Sequence, residues 1–146
     1  MIRRASEHDV GGITAIENRV FRHPWNKDQI QQELKQENGK LVYVEIEEKI
    51  MGYIMVRVVK NEAQILNIAI DLPFQHRGYG KKLLQNTLHE LGTETDVFLE
   101  VRVSNLPAIK LYSEFNFEEI GVREQYYSDG ENAIVMYRKA VTYALV

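Results

Sequence analysis

Apolar residues at Val10, Ile13, Ile16 and Val20 recur at three- and four-residue intervals, the period of one helical face. Ser6, with Asp9 three residues on, reads as a capping box that opens this segment, and Gly11 and Gly12 weaken it. His23-Pro24-Trp25 interrupts the pattern. Asn26 with Gln29 then caps a second short helix, with Ile30 and Leu34 on its apolar face. After Asn38-Gly39 the period falls to two. Lys40 to Glu47 alternates, with Val42, Val44 and Ile46 on one side, and Glu48-Lys49 is a hairpin tip. Ile50 to Val59 returns, and Ala63 to Ile70 adds the third strand of an antiparallel meander.

Beyond Asp71-Leu72-Pro73, helix and strand alternate. Gly78 to Leu91 aligns Leu83, Leu84, Thr87, Leu88 and Leu91 on one helical face, and Gly92 stops it. Val97 to Val103 is a strand. Asn105 to Phe115 is a helix with Pro107 in its first turn, where a missing N–H does no harm, and Asn116 ends it by taking the left-handed conformation. Glu118 to Tyr127 and Asn132 to Arg138 read as strands joined around Ser128-Asp129-Gly130. Ile2 to Ala5 is available as one further strand. The unit from Ala63 to Val103 needs a parallel, right-handed crossover. The predicted fold is therefore α/β: a single mixed, mostly antiparallel sheet with one parallel strand pair and helices on both faces.

Composition narrows the function. With 146 residues, 45% hydrophobic and 27% charged, the chain is an ordinary single globular domain, read as residues 1–139 with an apolar tail at 140–146. That tail could pack on the sheet, cover an edge or mediate a dimer, so both monomer and homodimer stay open. A formal charge of −3 disfavours a general nucleic-acid coat, and no direct nucleic-acid partner is expected. The absence of cysteine excludes disulfides, thiolate zinc sites and a cysteine acyl-enzyme, and fits a reducing cytoplasm. No apolar run reaches the length of a membrane span, and the first ten residues are not a signal peptide. His8, His23, His76 and His89 lack metal-ligand spacing, so no metal is expected.

The segment Gln75-His76-Arg77-Gly78-Tyr79-Gly80-Lys81 lies between a strand and an amphipathic helix. The first N–H groups of a helix have no internal partner and carry the positive end of its dipole. Glycines let that backbone approach a pyrophosphate, and Arg77, Lys81 and Lys82 add charge. A tight strand-to-helix turn without a ligand is the alternative explanation of Gly78 and Gly80. The Walker A spacing is absent, and Leu83 occupies the third small position of a dinucleotide fingerprint.

Gln-x-x-Gly-x-Gly after Asn67-Ile68-Ala69-Ile70 resembles the acetyl-coenzyme-A signature of the GNAT N-acetyltransferases, and the similarity runs from Ile2 to about Arg138. The resemblance implies a bulged strand that diverges from its parallel neighbour, with the pantetheine arm in the gap. It also implies that Ile68, Ala69 and Ile70 contact the acetyl-pantetheine end, and that His76, Arg77, Gly78, Tyr79, Gly80 and Lys81 hold the phosphates of acetyl-CoA. Leu99-Glu100-Val101-Arg102-Val103-Ser104-Asn105 with Ala108-Ile109-Lys110-Leu111-Tyr112 is similar to one branch, the RimI-type enzymes that acetylate the N-terminal alanine of a small-subunit ribosomal protein. Pro24-Trp25, Tyr126-Tyr127 and the run from Asp129 to Met136 suit the same branch. By this resemblance Glu100 is the proton acceptor, Tyr112 the proton donor and Asn105 a coenzyme contact. Asn132 departs from it, standing where an acidic residue is usual.

The residues themselves leave room for other readings. A glutamate between Leu99 and Val101 can simply face solvent, and a tyrosine in register with Ala108, Leu111 and Phe115 can simply be core. Trp25, Tyr126 and Tyr127 can flank an extended peptide or pack inside. The function the chain points to is acetyl transfer from acetyl-CoA to a protein N-terminal amine, with a ribosomal protein as partner. The alternatives are transfer to a lysine or small amine, a non-catalytic acyl-CoA-binding module, and a dinucleotide-dependent oxidoreductase.

Overall fold

The described residues of the computed structural model, 1–141, form seven strands and four helices. In chain order these are β1 (Ile2–Arg4), α1 (Val10–Val20), α2 (Lys27–Leu34), β2 (Lys40–Ile46), β3 (Ile50–Val59), β4 (Glu62–Ile70), α3 (Tyr79–Leu91), β5 (Asp96–Arg102), α4 (Leu106–Glu114), β6 (Glu118–Arg123) and β7 (Ala133–Arg138). The strands make one sheet ordered β1-β2-β3-β4-β5-β7-β6. Only β4 and β5 pair in parallel; every other neighbour is antiparallel. The fold is the mixed α/β sheet that the residue pattern predicts, including the meander β2-β3-β4 and the N-terminal strand.

Local signals act where they stand. The Ser6 N–H donates to Asp9 Oδ2 at 2.8 Å, opening a single 3-10 turn (Glu7–Asp9) ahead of α1. Asn26 and Gln29 cap α2 reciprocally at 2.8 and 2.9 Å. Asn116 takes φ +70°, the left-handed stop after α4. Each sheet face buries a core. Leu83, Leu84 and Leu88 of α3 and Tyr112 of α4 pack on Ile54, Ile65, Val97, Leu99 and Val101. On the other face Ile13 and Ile16 of α1 and Ile30 and Leu34 of α2 pack on Val42, Val44, Met55 and Ala69. Each such leucine or isoleucine contributes about 1.5–3 kcal/mol relative to exposure.

One expectation needs correction. The last hairpin is shorter than its sequence reads: β6 ends at Arg123 and β7 begins at Ala133. Tyr126 and Tyr127 therefore lie on loop 124–132 and not on a strand. Gln125 turns the chain there with φ +50°, and its N–H donates to Asn132 Oδ1 at 2.8 Å, closing the loop before the ladder resumes. Asn105 precedes α4 as its cap, with Oδ1 accepting the Ala108 N–H at 3.2 Å. The chain past β7 is tied to β5, since Ala140 N–H donates to Asp96 Oδ1 at 2.8 Å. Of the apolar tail at 140–146, residues 142–146 lie outside the described residues.

The feature that positions the site is in β4. Its register on β3 runs Met55↔Asn67 and then Val56↔Ile65, so Leu66 is an extra residue, a bulge. Pairing with β5 covers only Glu62 to Ile65 against Asp96 to Leu99. From the bulge onward the two strands part.

Candidate active site

Parting strands leave backbone groups without ladder partners, and buried groups of that kind are costly unless something else meets them. The Asp71 N–H bonds back to Met51 of β3 at 2.8 Å, so alternate residues Asn67, Ala69 and Asp71 turn their backbone toward β3. Ile68 and Ile70 consequently face the gap. There the Ile68 N–H donates to Asn67 Oδ1 at 3.0 Å, and the Ile70 carbonyl accepts from Gln75 Nε2 at 2.9 Å. Two side chains thus stand where a strand would pair, and the Ile70 N–H opens onto the same space. Ala69 does not face the gap: its side chain is buried in the α1–α2 core.

The glycine loop sits at the far end of this gap. His76 (φ +64°) and Gly78 (φ +85°) are left-handed, and α3 starts at Tyr79. The first bond onto the helix start is Lys82 N–H to Gly78 O at 3.1 Å. Among the described residues no acceptor meets the N–H groups of His76 to Lys81, which form the positive end of α3. Gly80 lies between Ile70 and Leu111: a Cβ built on it would sit 3.8 and 3.9 Å from their side chains. Loop and gap are therefore continuous, and the donors present fit an anionic group such as a pyrophosphate. Lys82 lies over the Tyr79 ring, 5.3 Å from its centroid.

The approach to the loop is anchored from α1. Arg19 Nε and Nη2 donate to the two Asp71 oxygens at 2.8 and 2.7 Å, and this pairing holds the buried Asp71 carboxyl below its ordinary range. Because the folded value is the lower one, the stabilisation is complete above the unfolded value of about 3.9 and fades as pH falls through the folded one. Asp71→Asn should lower the melting temperature at pH 7, and the gap between variant and wild type should close in thermal scans taken toward pH 2. An equal gap at both ends would show that the charge pair is not what stabilises the loop.

At the splay point lies a cleft of about 400 Å³ bordered by Trp25, Ile68, Glu100, Tyr112 and Tyr127 among others. Glu100 is the first β5 residue past the paired segment. Its side chain is 13% exposed, so it is not a solvated surface glutamate. Oε2 accepts from Gln64 Nε2 at 2.8 Å, and Oε1 lies 3.3 Å from Arg123 Nε. Tyr112 reaches the cleft from α4, packed at 5.6 Å on Phe117. Burial, with a smaller effect of Tyr127, raises its phenol well above the ordinary value, so it stays protonated at neutral pH. The structure thus gathers Trp25, Ile68, Glu100, Tyr112 and Tyr127. Tyr126 and Asn105 are exposed and do not border the cleft.

Several cleft groups escaped the sequence reading. Arg102 lies 4.0 Å over the Tyr127 ring and donates to Asp129 Oδ2 at 2.8 Å and Glu131 Oε1 at 3.0 Å, fastening loop 124–132 to β5. Burial, partly offset by Arg102, pushes the Tyr127 phenol up to about 12. His23 Nε2 comes within 3.9 Å of Asp129 across the cleft mouth. Glu17 of α1 is fully buried, with Oε1 bonded by Tyr53 Oη at 2.5 Å and by Asn67 Nδ2, and Oε2 by the Trp25 N–H at 3.0 Å. It lies within α1, between Ile16 and Val20, where apolar spacing alone does not mark a glutamate as interior.

This geometry has clear relatives. A sequence model of the acetyltransferase (GNAT) family matches residues 11–117. The chain is 34% identical over 142 residues to the [ribosomal protein bS18]-alanine N-acetyltransferase of Haemophilus ducreyi, covering 93% of this chain and 97% of that one. It is 34% identical over 151 residues to an N-alpha-acetyltransferase of Sulfolobus acidocaldarius, covering 92% and 89%. Among solved structures, the ribosomal-protein-S18-alanine N-acetyltransferase from Escherichia coli superposes with a TM-score of 0.90 at 31% identity, covering 99% and 96%.

Proposed function

The chain belongs to the GNAT family of acetyltransferases, and we propose that it moves the acetyl group of acetyl-CoA onto a protein N-terminal α-amine, that of a ribosomal protein. The observation that carries this reading is the meeting of Glu100 and Tyr112 in one cleft at the point where β4 and β5 part. The gap takes the pantetheine arm against Ile68 and Ile70, and the N–H groups from His76 to Lys81 take the pyrophosphate. By the family resemblance Asn105 is a further coenzyme contact, in addition to capping α4. The neutral amine nitrogen attacks the thioester carbonyl carbon. Glu100 takes the amine proton, directly or through water, while a β4 N–H stabilises the oxyanion. The C–S bond breaks, and Tyr112 protonates the leaving thiolate. No covalent acyl-enzyme is needed.

Charge arithmetic supports an α-amine acceptor. Its reference pKa of about 7.7–8.0 makes neutralisation at pH 7 cost roughly 1–1.4 kcal/mol, against roughly 4.6 kcal/mol for a lysine at about 10.4. One carboxylate meets the smaller demand more readily. Trp25 and Tyr127, which both border the cleft, flank the peptide, and Tyr126, edge-on to Tyr127 at 5.1 Å, supports that ring from outside. The relatives named for an alanine acceptor favour alanine or another small first residue, and a ribosomal substrate places the work in the cytoplasm.

The test is a competition between a peptide with a free N-terminal alanine and the same peptide blocked at its N-terminus but carrying a lysine. The free α-amine should be acetylated preferentially. Preference for the lysine would defeat the α-amine claim, and binding of acetyl-CoA without turnover of any amine would favour a coenzyme-binding module.

A further inference from the structure

We propose that Glu17 is a positioning residue that sets the acceptor wall of the cleft against its acyl-donor wall, through the bonds its carboxylate makes to Trp25 and Asn67; this rests on the acetyl-transfer reading above. Glu17 is 0% exposed, and no salt bridge among the described residues involves it. A buried carboxylate without a cation is costly, and it persists only where donors surround it. Here three donors from three elements do so: Tyr53 Oη of β3, Asn67 Nδ2 of β4 and the Trp25 N–H of the α1–α2 connection.

Two of the three donors belong to the cleft. The Trp25 N–H fixes the turn that presents the indole to the acceptor side. Asn67 uses its amide nitrogen on Glu17 and its oxygen on the Ile68 N–H, the group facing the gap where the acyl end lies. One carboxylate therefore spans both walls, and among the described residues no backbone hydrogen bond joins the two segments directly. Glu17 itself is covered, so it acts through these neighbours and not by touching substrate. Tyr53 bonds the same carboxylate from behind, is fully buried and does not border the cleft.

That asymmetry supplies the experiment. Glu17→Gln keeps the shape but replaces an acceptor oxygen with an NH₂ group, so at least one donor loses its partner. Tyr53→Phe removes the rear bond only. Both variants should lose thermal stability. Glu17→Gln should also raise the acceptor KM by about tenfold or more, the size expected for a hydrogen bond to a charged group, with acetyl-CoA affinity within about twofold of wild type. Tyr53→Phe should leave the acceptor KM near wild type. Equal KM values for both variants and wild type, or a loss of acetyl-CoA affinity matching the KM change, would overturn the proposal. Should Glu17→Gln fail to fold, Asn67→Ala cuts one link and must show the same split. Wild-type turnover in the same assay separates the two claims: an inactive wild type refutes the acetyl-transfer reading, whereas an active one with an unaltered Glu17→Gln refutes this one.

Discussion

Gly80→Val should weaken acetyl-CoA binding by about 10² or more while leaving the fold intact, and Gly78→Val should weaken it as well with some loss of stability. The two glycines are required for different reasons. Gly78 holds φ +85°, and nothing lies within 4 Å of a Cβ built there, so its cost is backbone strain of about 1–2 kcal/mol and not a clash. Gly80 is in the first turn of α3, and its Cβ would meet Ile70 and Leu111 at ordinary contact distance. The first atom therefore fits, but branched methyls beyond it would crowd the junction of loop and gap between Ile70 and Leu111, through which the coenzyme must pass to reach the open N–H groups. Hydrogen bonds to a charged phosphate contribute about 1.5–3 kcal/mol each, and losing one or two sets the size of the effect. Lys82→Ala should matter much less, since an exposed rim charge is screened. Titration calorimetry with circular dichroism as the folding control measures this. Unchanged affinity in both folded glycine variants would sink the phosphate-loop assignment.

How much of this was legible beforehand differs by element. The helices announced themselves because their signals are local: Asn26 with Gln29 caps α2, and Asn116 ends α4 with its own dihedral. The bulge at Leu66 was not readable from Ile65-Leu66-Asn67, because it exists only as a mismatch of register with β3. It was implied by family resemblance alone. Loop 124–132 misled for a related reason. Gln-Tyr-Tyr carries strand propensity, but Gln125 turns left-handed and Asn132 spends its side chain closing the loop, which tertiary contacts decide. That use of Asn132 also gives a structural role to a residue that departs from the branch pattern. Glu17 was hidden because a glutamate on an amphipathic helix is normally solvated. Only the approach of Tyr53 and Asn67, 36 and 50 positions away in sequence, makes it an interior group.

Glu100→Gln should lower turnover by about 10²–10⁴, the usual loss for a general base, with acetyl-CoA affinity nearly unchanged. The affinity should hold because Glu100 lies at the splay point on β5, while the open N–H groups of the phosphate loop belong to His76–Lys81. The fold should hold because the amide can still accept from Gln64 and its shape is the same. What disappears is the proton acceptor, along with the negative charge beside Arg123. The loss should shrink as pH rises above about 8, where an α-amine is already neutral and needs no base. A defect caused by misplaced Arg123 would not shrink in this way, because a guanidinium keeps its charge throughout that range. Tyr112→Phe should also slow turnover, by removing the proton destined for the thiolate, and its deficit should persist across the same range because burial keeps the wild-type phenol protonated there. Steady-state rates of both variants from pH 6 to 9, with coenzyme affinity measured alongside, give the comparison. Wild-type rates in both would make Glu100 and Tyr112 structural residues and transfer the weight of evidence to a coenzyme-binding module.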